Sequence, residues 1–244
     1  MKSKFIFFIV LVFVYVMLFE FILPINKVLP KPSLLMETFY YMWPVYNLFQ
    51  AFVITSTAVY LSLIAGYFVV TFTAKHIISA LYGLSDSLST LKIFKYIPPF
   101  FIAILFAFWF RNSFYAELLF GLLTVVFSLS NKMICEVRNV KEEYILVGKN
   151  LGLSKCDIYS KIIKKAVEPT IAEELKSVHY YLWIILLIYE FVAGIQGFGG
   201  FYKTALMFND YSALIAVAII ISIMIWLGDF LLSFIQNKLL FWKQ

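Results

Sequence analysis

Apolar residues in this chain fall into long, almost uninterrupted runs, unlike the helical stripes or alternating patterns of a water-soluble core. The first run is Phe5–Leu23, with Glu20 as its only charge. No small-residue cleavage site follows it, so it reads as a retained helix rather than a signal peptide. Pro24, Pro30 and Pro32 then break the chain. Further runs cover Ala51–Thr73, Leu91 or Ile97 to Phe110, Phe114–Ser130, Val178–Ala193 and Tyr211–Ile235. A membrane-crossing helix needs about 20 predominantly apolar residues. The pattern therefore predicts an all-α integral membrane protein with about six transmembrane helices; the third and fifth runs are the shortest or most polar. Pro98-Pro99 marks a helix start or kink. Between the first two spans, Ser33–Trp43 places Leu34, Leu35, Phe39 and Met42 on one face. With Tyr40, Tyr41 and Trp43 beside them, this segment is expected to lie along the outer membrane surface.

One polar stretch, Asn131–Lys176, separates the fourth and fifth runs. Glu142–Lys149 has helical character and Gly152 interrupts it. From Asp157 to Ala166, Ile158, Ile162 and Ile163 recur at helical spacing with lysines opposite, and Pro169 is expected to end the helix. This pattern fits two short amphipathic helices turning at a glycine, and it fits an ordinary solvated loop equally well.

Composition agrees with a lipid-exposed surface. Of 244 residues, 63% are hydrophobic and 14% charged, with mean hydropathy +0.90, whereas soluble domains are roughly half apolar and a quarter charged. The chain is expected to form one transmembrane domain, with residues 1–28 supplying the first helix and outer loop, 29–244 the core region, and 131–176 a polar loop. The net charge of +6 does not indicate a nucleic-acid partner, because the basic residues are spread over short connections. With the N-terminus inside, 16 of the 20 Lys and Arg residues fall on the cytoplasmic side, leaving Lys27, Lys31, Arg111 and Lys203 outside. By the positive-inside rule both termini are cytoplasmic, in a multi-pass cell-membrane protein. Cys135 and Cys156 then lie in a reducing compartment and form neither a disulfide nor a metal site.

The polar loop resembles the cytoplasmic loop of binding-protein-dependent ABC permeases. That family's loop runs Glu-Ala-Ala, three residues, Gly, nine residues, Ile, one residue, Leu-Pro. Here the register is Leu146-Val147-Gly148, three residues, Gly152, nine residues and Ile162, then Ile163 and Lys164-Lys165. The glycine and isoleucine keep their spacing, while Leu146 replaces the glutamate and Lys164-Lys165 the Leu-Pro. Its flanks resemble the nitrate, sulfonate and taurine branch: Val137-Arg138-Asn139-Val140 before Glu142-Glu143, and Leu151-Gly152-Leu153-Ser154 after. So do Leu29-Pro30-Lys31-Pro32-Ser33, Tyr96-Ile97-Pro98-Pro99 with Phe108-Trp109-Phe110, Tyr189-Glu190 before Gly197-Phe198-Gly199-Gly200, Gly228-Asp229, and Leu239-Leu240-Phe241-Trp242-Lys243. The resemblance covers about residues 29–243 in order.

It implies a permease subunit of an ATP-driven importer, passing a small solute (an anion such as sulfonate or nitrate, or a vitamin precursor) by alternating access. The implied partners are an ATP-binding cassette subunit, a second copy or related permease, an extracytoplasmic binding protein and the bilayer. This chain would hold no cofactor; ATP and Mg would bind the partner. Coupling would fall to Leu146, Val147, Gly148, Leu151, Gly152, Ser154, Lys155, Ile158 and Ile162. Leu146, Leu151 and Ile158 would be apolar anchors, ringed by Lys149 and Lys155. With leucine at 146, either the partner surface has changed to suit or coupling is weaker.

Ionisable groups inside spans are candidates for the translocation path. Glu190, near the outer end of the fifth span, is the first; an interfacial, water-satisfied glutamate is its alternative. Asp229 is the second, close enough to Lys238 to pair with it. Thr55, Ser56 and Thr57 suit hydrogen bonds between helices, and His179 suits an anchor at the inner interface. A membrane enzyme would need a catalytic set that two isolated histidines, His76 and His179, do not supply. The chain also lacks a phosphate-binding Gly-Lys motif. A stand-alone carrier or channel is the other reading, weakened by the absence of a visible inverted repeat.

Overall fold

The computed structural model describes residues 2–23, 29–83, 99–110 and 113–239, and every regular element among them is helical. In chain order these are α1 (Lys2–Val16), continued by a π-helical turn at Met17–Ile22, α2 (Pro32–Val45), α3 (Leu48–Gly83), α4 (Pro99–Trp109), α5 (Phe114–Val137) and α6 (Glu142–Asn150). They are followed by α7 (Lys155–Ala193), α8 (Phe198–Met207) and α9 (Tyr211–Leu239). Four helices are long and apolar enough to cross a membrane: α3, α5, α7 and α9. At 1.5 Å per residue, the 36 residues of α3 extend about 54 Å, well beyond the roughly 30 Å of a hydrocarbon core. Two of the expected spans correspond to shorter apolar helices, α1 with its π turn and α4. The start of the third run (91–98), Lys92, Lys95, Lys27, Arg111 and the terminal Leu240–Lys243 lie outside the described residues.

α7 is the central helix, touching α3, α4, α5, α8 and α9. It buries Val178, His179, Leu182, Trp183, Ile185, Leu186, Tyr189 and Glu190. Opposite it, α5 turns inward a stripe that includes Phe120, Val125, Leu129 and Met133. α3 and α5 cross closely because both carry glycine at the crossing. A Cβ on Gly66 would stand 2.5 Å from Val125 Cγ1, and one on Gly121 the same distance from Ser62 Oγ. Small residues allow such backbone approach where no hydrophobic effect drives helices together. The remaining faces stay apolar and exposed, including Phe68 and Phe72 on α3 and Trp226, Phe230 and Phe234 on α9. Rows of this size are too apolar for a water-facing surface, and the chain has the make-up of a membrane protein.

Two expectations about helices change. Pro169 does not terminate its helix; it lies buried inside α7, which runs on to Ala193. A proline removes only one backbone donor, and packing on a buried face holds the helix together across it. In α2 the buried stripe is Leu35, Thr38 and Met42, while Leu34 is exposed. Thr38 turns inward because its hydroxyl donates to the Leu34 carbonyl at 2.8 Å, which satisfies it locally.

Candidate functional site

Two regions at opposite ends of the bundle carry the chemistry. One is the projection formed by α6 and the beginning of α7. α6 starts with Glu142 and Glu143 in its first turn and has Lys149 in its last, charges that suit the helix dipole. The chain then reverses through Leu151–Ser154. Gly152 takes φ +72°, the left-handed region that glycine enters at little cost, and the space where a Cβ would sit is open. Ser154 restarts the helix, its Oγ accepting the Asp157 amide at 3.2 Å and donating to the Asp157 carboxylate at 2.6 Å. Lys161 pairs with that carboxylate at 2.7 Å. The next turn, Ile158–Ile163, is π-helical.

The coupling residues expected from sequence divide into two groups. Leu146, Val147 and Leu151 are exposed by 47%, 55% and 72%, beside the exposed Tyr144. Gly152, Ser154 and Lys155 are exposed with them. Gly148, Ile158 and Ile162 instead hold the projection together: a Cβ on Gly148 would come within 2.5 Å of Ile162 Cδ1 and 3.2 Å of Ile158 Cγ1. Ile158 is therefore buried against α6 and is no surface anchor. Helical spacing identifies a face but does not tell which neighbour covers it.

At the opposite end, α2, the start of α3, the end of α7, α8 and the start of α9 converge. Here Glu190 is fully buried. Thr55 on α3 donates to its Oε1 at 2.6 Å, and the Gly199 amide donates to its Oε2 at 2.7 Å. The Phe198 amide in turn donates to Thr55 Oγ1 at 2.9 Å. Glu190 thus caps the N-terminus of α8 from another helix, where the helix dipole favours negative charge. Gly197 and Gly199 are required by this arrangement, since a Cβ on either would meet the Glu190 side chain at 2.1 Å and 2.6 Å. Two other carboxylates also cap helix starts. Glu20 accepts the Ser33 amide and hydroxyl at the start of α2, at 3.2 Å and 2.9 Å. Asp210 accepts the Ala213 amide at the start of α9 and the hydroxyls of Tyr41 and Tyr46 at 3.2 Å and 2.9 Å. Burial pushes the Tyr46 hydroxyl well above the usual phenol range, and Asp210 adds to the effect.

Beside Glu190 lies Glu117 of α5, also fully buried. Sequence reasoning passed over it. The available signal was a carboxylate inside an apolar run, masked by its position in the first turn of a helix, where acidic residues are common. At the same end an open recess of about 440 Å³ is lined by Tyr46, Asn47, Gln50, Gln196, Lys203 and Thr204, among others. Gln50 donates to Gln196 across it at 2.9 Å.

The other candidates have plain positions. Asp229 is half exposed, with Oδ1 3.9 Å from Nδ1 of His179. Lys238 does not pair with it but sits over the Phe234 ring, 4.7 Å from the centroid. His179 is not at an interface: it is buried in the core, stacked with Tyr60 and accepting from Trp183 Nε1 at 3.0 Å. Of the three hydroxyls on α3, Thr55 bridges helices, Ser56 Oγ is buried without a partner and Thr57 is exposed. Among the described residues no group of His, Cys, Asp and Glu could hold a metal ion. The chain matches no family model, no curated protein and no solved structure.

Proposed function

We propose that this chain is the membrane-spanning permease subunit of an ATP-driven importer, coupled to a separate ATP-binding subunit through the α6 projection. The observation that carries this reading is the exposure of Leu146, Val147 and Leu151 at the tip of a helix–turn–helix whose base is packed by Gly148, Ile158 and Ile162. An apolar tip on a braced stem suits insertion into a groove and the transmission of rigid-body movement. The lysine distribution supports a cytoplasmic projection, six spans and both termini on the cytoplasmic side of the cell membrane. The recess at the other end then opens outward, where a binding protein would deliver a small solute to Gln50, Gln196 and Lys203. Two such subunits, identical or related, would pair around the path.

The test is co-purification of the chain with candidate ATP-binding subunits, comparing wild type with Leu151→Asp and Leu146→Asp. Loss of the bound subunit, with the melting temperature of the chain unchanged, supports the reading. Retention of the subunit by both variants would remove the projection from the interface.

A stand-alone carrier is the second reading, favoured by one observation: carboxylates inside membrane spans are expensive and commonly serve ion or proton pathways, and Glu117 and Glu190 are both buried in spans. Solute movement in vesicles without ATP, by a chain that purifies alone, selects it.

A further inference from the structure

The recess at the α8 end combines one cation with an apolar lining. Its lining residues include Lys203 and no Asp or Glu. The Lys203 ammonium stands at the recess wall, 3.9 Å from where a Cβ on Gly194 would lie. Gln196 accepts from Gln50 with its amide oxygen, which leaves its NH2 group as a donor. Both hydroxyls of the lining are committed: Thr204 donates to the Gly200 carbonyl at 3.0 Å and Tyr46 to Asp210. Much of the rest is apolar. The rings of Tyr46 and Phe201 lie against each other, centroids 4.7 Å apart, and Val45 and Met207 line the recess with exposed side chains.

The chain does not neutralise this lysine itself. Among the described residues no carboxylate lies within ion-pair distance of Lys203. Two carboxylates of this end have their oxygens engaged, Glu190 by Thr55 and Gly199, Asp210 by Tyr41, Tyr46 and Ala213. Outside the described residues the sequence has one more acidic side chain, Asp86, three positions past Gly83 at the end of α3. The recess lies at the Leu48 end of that helix, about 54 Å away. Three residues of chain reach at most about 11 Å.

We propose that the recess binds a small organic monocarboxylate, its carboxylate on Lys203 and the Gln196 amide and its apolar body against Tyr46, Phe201 and Met207. This rests on the reading that the recess is the solute site, and it names the class of solute. The volume of about 440 Å³ is of small-molecule size, since such sites span roughly 300–1,000 Å³. An organic cation would meet Lys203 with no acid to offset it. A neutral solute would leave the ammonium unpaired, and an inorganic anion would leave the apolar lining uncovered. The head group follows from the donors. A carboxylate concentrates its charge on two oxygens and a sulfonate spreads it over three, so the carboxylate gains more from one compact ammonium. The lining offers neither a guanidinium nor an uncommitted hydroxyl for a third oxygen.

Calorimetric titration of the full-length chain, alone in phosphatidylcholine nanodiscs at neutral pH, tests it with five probes: pentanoate, acetate, pentanol, pentylammonium and pentanesulfonate. Pentanoate should bind tightest. Acetate, which lacks most of the apolar body, should bind about tenfold more weakly, and pentylammonium should not bind. Lys203→Gln should weaken pentanoate about tenfold, while Lys203→Arg, which keeps the charge, should retain it. If Lys203→Gln fails to fold, the ranking of the probes on wild type still decides. Pentanol binding as tightly as pentanoate, or Lys203→Gln binding pentanoate as wild type does, overturns the carboxylate assignment and leaves the recess as a solute site. Tighter binding of pentanesulfonate overturns the choice of head group. Binding of none of the five overturns the inference outright. Each result is separate from the importer reading, because no ATP-binding subunit is present and that reading is decided at Leu146 and Leu151.

Discussion

The two ends of this molecule are held by different kinds of bond. At the α8 end the polar contacts join residues far apart in sequence: Thr55 with Glu190, Gln50 with Gln196, Tyr41 and Tyr46 with Asp210. Within the projection formed by α6 and the start of α7 they are local, as in Ser154 with Asp157 and Asp157 with Lys161, and the apolar tip is left uncovered. An end tied by long-range hydrogen bonds to buried carboxylates is committed to its own fold, because breaking one partner strands the other away from water. An end made of local bonds around a packed glycine can stand clear of the bundle and keep its outer face for another surface. One end is fixed by its own contacts, while the other keeps a face uncovered.

That contrast can be broken most severely at Gly199. A Cβ there would stand 2.2 Å from the Leu187 carbonyl oxygen as well as against Glu190, and a backbone atom cannot move aside as a flexible side chain can. Gly199→Ala should cost several kcal/mol, on the order of the larger single-site effects, and should be seen as a lost or sharply lowered thermal transition in detergent. A transition within a degree of wild type would mean that the α8 end is looser than its hydrogen bonds indicate.

A smaller effect is expected in the projection. Ser154→Ala removes an N-cap and should cost about 1 kcal/mol. It should increase amide hydrogen exchange over residues 155–163 while leaving exchange around Glu190 unchanged. Spread of the effect to the α8 end would dissolve the distinction between the two regions.

The smallest effect concerns pH. The folded protein holds the Tyr46 hydroxyl protonated more firmly than the unfolded chain does. Its stabilising contribution is complete below the ordinary phenol value near pH 10, and is lost as the pH climbs from there towards the raised value in the folded state. Tyr46→Phe should therefore flatten the alkaline fall in stability above about pH 10, measured by melting temperature against pH. An unchanged slope would remove Tyr46 from the tie between α2 and α9.

Much of the helical layout could be read from the chain. Long apolar runs lead to α3, α5, α7 and α9, since a run of that length has no other way to satisfy its backbone in lipid. Gly152 was legible as a turn because its neighbours on both sides are helix formers and it alone enters the left-handed region without strain. The site was only half legible. Glu190 stands out as a carboxylate in an apolar run, but its partners Thr55 and Gly199 come from different helices. Glu117 was hidden by its place in a first helical turn, and Ile158 shares the spacing of a surface anchor while being covered by Gly148.

By itself, the sequence determined the helical class, the membrane-suited composition and the turn at Gly152. These follow from hydrophobic run length and from local backbone preference, which need no knowledge of neighbours. Tertiary structure alone decided which carboxylates meet, that Pro169 is carried within a continuous helix, that His179 belongs to the core, and that Gly197 and Gly199 make room for Glu190. Each of these depends on which helix lies opposite, and burial and hydrogen-bond satisfaction are properties of such pairs.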